Sequence, residues 1–254
     1  MGNIDKEVST AATVDREWRG LYSLSGILVI LIAVLSFVVV WGARTLYSSG
    51  YPSDATSYLQ LISQHQGLAA TTWSLWIVMD FLSIAPAIAM YLVLRKHNRI
   101  LALLGSAFSL FFAVYDFGVT ELNSLTLVSL SNGFANAPPE ALRASLVAAA
   151  TYGYYSLPLQ TVLSFAIGPI GYLMWCVPML KSFFGRWIAI SGFIVNIIGV
   201  AAAAAPVVPS SFILGLCQFI CVRAIALWSI FVGVQLYRYG RRLSAYTDGA
   251  GSLR

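Results

Sequence analysis

Four ionisable side chains stand inside otherwise apolar stretches, and they are the residues able to carry chemistry: Asp80, Asp116, Glu121 and Arg223. An ionisable group placed in hydrocarbon costs about 2.5 to 3.5 kcal/mol on insertion scales, so each is a functional candidate. Asp80 lies 15 residues before Arg95, Asp116 lies 17 after Arg99, and Arg223 lies 15 before Arg238. With a rise of 1.5 Å per helical residue, all three sit roughly 22 to 26 Å from a common basic boundary, in the outer half of a bilayer. Glu121 falls nearer the outer interface. Two arrangements follow. In one, Arg223 clasps one or both aspartates and fixes helix packing; removing one partner would then strand a buried charge at about 3 to 5 kcal/mol. In the other, two acids against one base leave a carboxyl that holds a proton near neutral pH. That suits proton-coupled transport or recognition of a cationic ligand. Tyr115, Tyr152, Tyr154 and Tyr155 fall near the outer ends of the third and fourth spans and could wall a vestibule, since aromatic faces hold cations. Anchoring at headgroup level is the alternative reading of the same tyrosines.

Helices must position these groups. Of 254 residues, 59% are hydrophobic and only 10% charged, against roughly 25% charged in soluble domains. Six apolar segments are long enough to span: Leu21 to Ala43, Thr71 to Leu94, Ile100 to Leu122, Leu157 to Leu180, Trp187 to Val207 and Phe212 to Tyr237. Backbone groups in lipid have no water to bond, so such segments fold as helices. The expected class is all-α, a polytopic bundle of six transmembrane helices forming one domain over residues 21–238, between tails 1–20 and 239–254.

Lys and Arg alternate across the connections. One set holds Lys6, Arg16, Arg19, Arg95, Arg99, Lys96, Lys181, Arg186, Arg238, Arg241, Arg242 and Arg254; the other holds only Arg44 and Arg143. Cytoplasmic loops carry the excess. This places both termini in the cytoplasm and the chain in the plasma membrane. The first outer loop, "YPSDATSYLQLISQH", sets Tyr58, Leu59 and Ile62 at helical spacing and predicts a short surface helix. In the next outer loop the helix is expected to break at Asn132 and Gly133 and restart at Pro138 and Pro139, residues suited to a first turn. Gly192 and Gly199 share a face of the fifth span and favour close helix contact. Pro86, Pro169 and Pro178 are candidate hinges or helix breaks around a site.

Several chemistries are set aside. His65 and His97 fall in loops on opposite sides, which leaves no haem or metal centre within the bilayer. Cys176, Cys217 and Cys221 lie in apolar stretches and read as packing residues. There is no phosphate-binding loop or dinucleotide fingerprint. A net charge of +5 is scattered over short loops, unlike the stripe that binds nucleic acid. No cofactor is expected.

The segments "ILALLGSAFSLFFAVYD", from Ile100, and "KSFFGRWIAISGFIVNIIGV", from Lys181, resemble a family of bacterial and archaeal six-span proteins catalogued as a domain of unknown function. In that family a short basic loop ending in Arg-Trp opens the fifth span. The resemblance runs from about Leu21 to Arg242 and implies the six-helix fold, without catalytic residues. The leading expectation is an outer-half polar pocket that binds or moves a small molecule or a proton, formed by Asp80, Asp116, Arg223, Glu121, Tyr115 and Tyr155. The alternatives are an accessory subunit paired with another membrane protein or a second copy, and an intramembrane enzyme acting on a lipid or isoprenoid. The bilayer itself is the expected surrounding partner.

Overall fold

The computed structural model describes residues 17–48, 50–137, 140–205, 208 and 212–251. Its regular secondary structure is helical throughout the described residues. In chain order the helices are α1 (Arg19–Leu46), α2 (Ala55–Gln64), α3 (Gln66–Leu94), α4 (Arg99–Tyr115), a π-helical segment (Asp116–Glu121), α5 (Leu122–Asn136), α6 (Glu140–Met179), α7 (Arg186–Ala202) and α8 (Phe212–Gly251). Five stretches are long and apolar enough to cross a membrane: α1, α3, the continuous run Arg99–Asn136, α6, and Leu216–Leu243 within α8. The apolar helix α7, with 17 residues, is shorter.

Helix ends follow local chemistry. The Asp54 carboxylate caps α2 by accepting from the Ser57 N–H at 2.8 Å, and the Asn98 Oδ1 caps α4 by accepting from Leu101 at 3.1 Å. Each satisfies a donor that the first helical turn leaves open. Gly185 begins α7 at φ +86°, a left-handed conformation open to a residue without Cβ.

The long helices close into a ring in chain order: α1 against α3, α3 against α4, α4 against α6, α6 against α7, α7 against α8, and α8 back against α1. Glycines permit the approach. A Cβ on Gly26 would stand 2.5 Å from the backbone nitrogen of Tyr237, and one on Gly233 would stand 2.8 Å from the Gly26 carbonyl oxygen. Gly105 and Gly171 face each other between α4 and α6 in the same way. Gly192 and Gly199 do make the close contacts expected of them, against Cys176 and Trp228 and against Pro169 and Cys221. Small residues let backbones meet where lipid supplies no hydrophobic drive between helices.

Two apolar cores lie at opposite ends of the ring. One, at the basic end near Arg95 and Arg186, gathers Tyr22, Met90, Leu94, Trp175, Met179, Phe184, Trp228 and Leu236. The other gathers Leu46, Tyr58, Leu59, Ile62, Leu127, Val128, Tyr154 and Leu157 where α2 packs on α5 and α6; this is the tyrosine end. The surface helix thus forms where its spacing predicts. The run Arg99–Asn136 has 38 residues and α6 has 40, about 57 and 60 Å at 1.5 Å per residue. Hydrocarbon is only about 30 Å thick, so both helices continue past it at the tyrosine end to build the second core.

Two expectations are corrected. The helix does not break at Asn132 and Gly133: α5 runs to Asn136, with the Asn136 amide donating to the Asn132 carbonyl at 2.9 Å. Pro138 and Pro139 lie outside the described residues, as do Lys6, Arg16, Val207 and Arg254. Pro86, Pro169 and Pro178 sit inside continuous helices. The irregular turn falls instead at Asp116–Glu121, which contains no proline.

Candidate functional site

Between the two cores lies a polar layer. Asp80 on α3, Asp116 and Glu121 at the two ends of the π segment, Thr120 between them and Ser164 on α6 are all buried, the three acids at 5%, 5% and 3% exposure. The π segment is what assembles them. In an α-helix of 3.6 residues per turn, positions five apart point about 140° away from each other. Hydrogen bonding from i to i+5 stacks such residues instead. Asp116 and Glu121 therefore both face inward, as Thr120 does. Ser124 and Val128 continue the Glu121 face along α5.

Asp116 is the best supported acid. The Ser164 hydroxyl donates to its Oδ1 at 2.6 Å, and the Thr120 hydroxyl lies 3.2 Å from the Ser164 hydroxyl. By contrast, Asp80 Oδ2 and Glu121 Oε2 are shielded from solvent and have no hydrogen-bond partner among the described residues. The three carboxyls are near enough to feel one another electrostatically. Unpaired buried carboxyls are costly when ionised, so this cluster calls for a proton, a bound donor or a cation. Among the described residues, no three His, Cys, Asp or Glu side chains are grouped as a metal ion would need.

Arg223 does not join them. Its Nη1 donates to the carbonyl of Phe219 one turn earlier at 2.6 Å, and its guanidinium lies 3.7 Å from the Phe219 ring centre. Among the described residues no ion pair links it to Asp80, Asp116 or Glu121. Leu216, Phe219, Ile220 and Leu227 around it are exposed, so it sits toward the lipid-facing side of α8. The equal depth read from the sequence did not bring the base to the acids.

The tyrosines sort differently from the expected vestibule. Tyr152 and Tyr155 are 83% and 63% exposed and line a shallow surface depression with Ala148, Thr151 and Ser156. Tyr115 packs against Phe111, ring centres 6.3 Å apart. Tyr154 alone of the four turns inward, meeting Tyr58 at 5.4 Å and Tyr51 at 6.1 Å, while its hydroxyl donates to the Pro52 carbonyl at 2.5 Å. Tyr47 completes this cluster, its hydroxyl 3.4 Å from that of Tyr58. Burial pushes the phenols of Tyr47 and Tyr58 up from their ordinary value, which keeps them as neutral O–H groups. Glu121 lies within electrostatic reach of Tyr47 and Tyr58.

Below the acids, toward the basic end, Tyr172 stacks on Trp175 at 5.5 Å and packs on Trp228 at 6.0 Å. Laterally, Phe81 and Phe117, each one residue past an acid, pair with ring centres 5.0 Å apart. Asn123 adds a polar rung one turn above, donating to the Gly153 carbonyl and to Gln160 Oε1, both at 3.0 Å. Sequence reading passed over Thr120, Ser164, Asn123 and Gln160. Their signal was present: each is a polar residue in or beside an apolar segment at the depth of the acids.

Over residues 24–243 the chain matches the model of a family described as a domain of unknown function, DUF4386, and it belongs to that family. No curated protein and no solved structure matches it.

Proposed function

From that membership, which carries no activity with it, and from the polar layer, we propose that this is a six-span protein whose buried acids bind or move a proton or a small cationic molecule. The observation that carries this reading is the pair of unpartnered buried oxygens, Asp80 Oδ2 and Glu121 Oε2, beside a hydroxyl-supported Asp116. Buried polar atoms are nearly always paired, and an exception marks a strained or functional position. The π segment adds to this, because such single irregular turns recur at functional sites.

The sixth span in this reading is α7, whose 17 residues lie at the short end of the roughly 17 to 25 that cross a bilayer. Its place in the ring between α6 and α8 supports it. The alternation of Lys and Arg supports cytoplasmic termini in a plasma membrane. The tyrosine end then faces outward. The Gly192–Gly199 face of α7 packs on α6 and α8 of the same chain and so offers no surface for a partner subunit, which leaves the polar layer as the stronger guide.

Potentiometric titration of the purified protein in detergent tests the proposal. Wild-type protein is expected to take up protons across the neutral range that folded Asp80→Asn, Asp116→Asn and Glu121→Gln variants each lack in part. An identical titration curve in the folded triple variant would contradict it.

A further inference from the structure

The polar layer is bounded unequally. Toward the basic end it meets stacked Tyr172, Trp175 and Trp228, and beyond them an apolar core of Met90, Leu94, Met179 and Leu236. Toward the lipid it meets the Phe81–Phe117 pair. Hydroxyls leave the layer in both directions. Toward the basic end Tyr172, paired with Ser109, leads to Ser106, whose hydroxyl is taken up by the Ala87 carbonyl and the Trp175 N–H inside the closed core. Toward the tyrosine end the hydroxyls lead to the surface. Glu121 shares its helix face with Val128, which packs in the same core as Leu46, at the end of α1, and Tyr58, on α2. Directly beyond Leu46 stands Tyr47, whose hydroxyl is 3.4 Å from that of Tyr58. Tyr51, ring centre 5.1 Å from Tyr47, is 53% exposed and reaches the surface.

We propose that the Tyr47–Tyr58 hydroxyl pair is the route by which protons from the tyrosine-end solvent reach Glu121, and that the acid layer exchanges protons with that side alone. This rests on the reading of the acids as a proton-binding site. A phenol can accept a proton on its oxygen from water while releasing its own hydrogen to the next acceptor, so one proton advances with no change in oxidation state. The groups within electrostatic reach of Glu121 are Asp116 on its own π segment, Asp80 on α3, Tyr47 after α1 and Tyr58 on α2; none is a base that would hold the proton permanently. The tyrosine rings pack directly on one another at 5.1 to 6.3 Å, which favours a proton over an ammonium ion, since a caged cation must itself stand within about 6 Å of each ring centre.

The test is infrared spectroscopy of full-length protein transferred from H2O to D2O, following the carboxylic C=O band that Glu121→Gln removes. Tyr47→Phe with Tyr58→Phe keeps both rings, and so the packing, and is expected to slow the isotopic shift of that band by about tenfold or more, as loss of a positioned proton-transfer group does. Tyr152→Phe, on the exposed surface, is expected to leave the rate as in wild type. An unchanged rate in the folded double variant, or slowing by Tyr172→Phe instead, would overturn the route while leaving the acid site standing. A wild-type spectrum with no carboxylic band from Asp80, Asp116 or Glu121 would instead overturn the proton-binding reading on which the route rests.

Discussion

At the basic end both buried indoles find acceptors, Trp175 on the Ser106 hydroxyl at 3.2 Å and Trp228 on the Ile188 carbonyl at 2.8 Å. Toward the other end the Trp73 indole N–H has no partner among the described residues, and neither do Asp80 Oδ2 and Glu121 Oε2. The same helices build both regions. One is closed by glycine-backed contacts and leaves a neutral hydroxyl, Ser25 Oγ, without a partner among the described residues. The other leaves carboxyl oxygens open, which cost far more to bury than a hydroxyl does. The difference separates the part of the molecule that holds the ring together from the part equipped to bind something.

The largest effect is expected at the closed end. Gly26→Val would drive side-chain atoms into the α8 backbone, which has no side chain to swing aside. A loss of about 3 kcal/mol, at the upper end of ordinary overpacking, is expected in thermal unfolding in detergent; a stable Gly26→Val protein would show that the α1–α8 contact is looser than described. Next comes Ser106→Ala. It strands the Trp175 N–H and removes the 2.9 Å bond to the Ala87 carbonyl, for an expected loss of about 2 kcal/mol. At the open end Asp80→Asn breaks no hydrogen bond at Oδ2 and puts a neutral group of the same shape in place of the buried carboxyl, so its cost is expected to stay below about 1 kcal/mol. A larger loss for Asp80→Asn than for Ser106→Ala would erase the distinction between the two regions.

The smallest effect is confined to α2. Hydrogen bonding from the Ser57 N–H and hydroxyl holds the Asp54 carboxyl below its ordinary value. A carboxyl lowered on folding stabilises above its unfolded value of about 3.9 and loses that contribution as pH falls through the folded value. The protection of amides in residues 57–62, taken relative to the intrinsic exchange rate at each pH, is therefore expected to fall on acidification in wild type. In Asp54→Ala it should be low at every pH and no longer depend on acid, with the rest of the fold unaltered.

Depth was legible in the sequence and direction was not. Counting residues from basic boundaries put Asp80 and Asp116 at one level, and they do lie in one layer. The same count put Arg223 there too, yet it faces away, because α8 is apolar on every side and offers no polar stripe to set its rotation. Glu121 read as more peripheral because it lies further along the span than Asp116; the π segment, which no proline announces, turns it to the same face. The surface helix was legible from Tyr58, Leu59 and Ile62, which all prove buried. The tyrosine cluster was not, since Tyr154 joins Tyr47, Tyr51 and Tyr58 from a distant part of the chain.

The central claim is that the acids stand without a basic partner. A double-mutant cycle of Asp80→Asn and Arg223→Gln, read as unfolding free energy in detergent, tests it most directly. Residues that do not touch add within about 0.3 to 0.5 kcal/mol, and the cycle is expected to close within that margin. A coupling of several kcal/mol, of the size a buried clasp gives, would contradict the account and return Arg223 to the site.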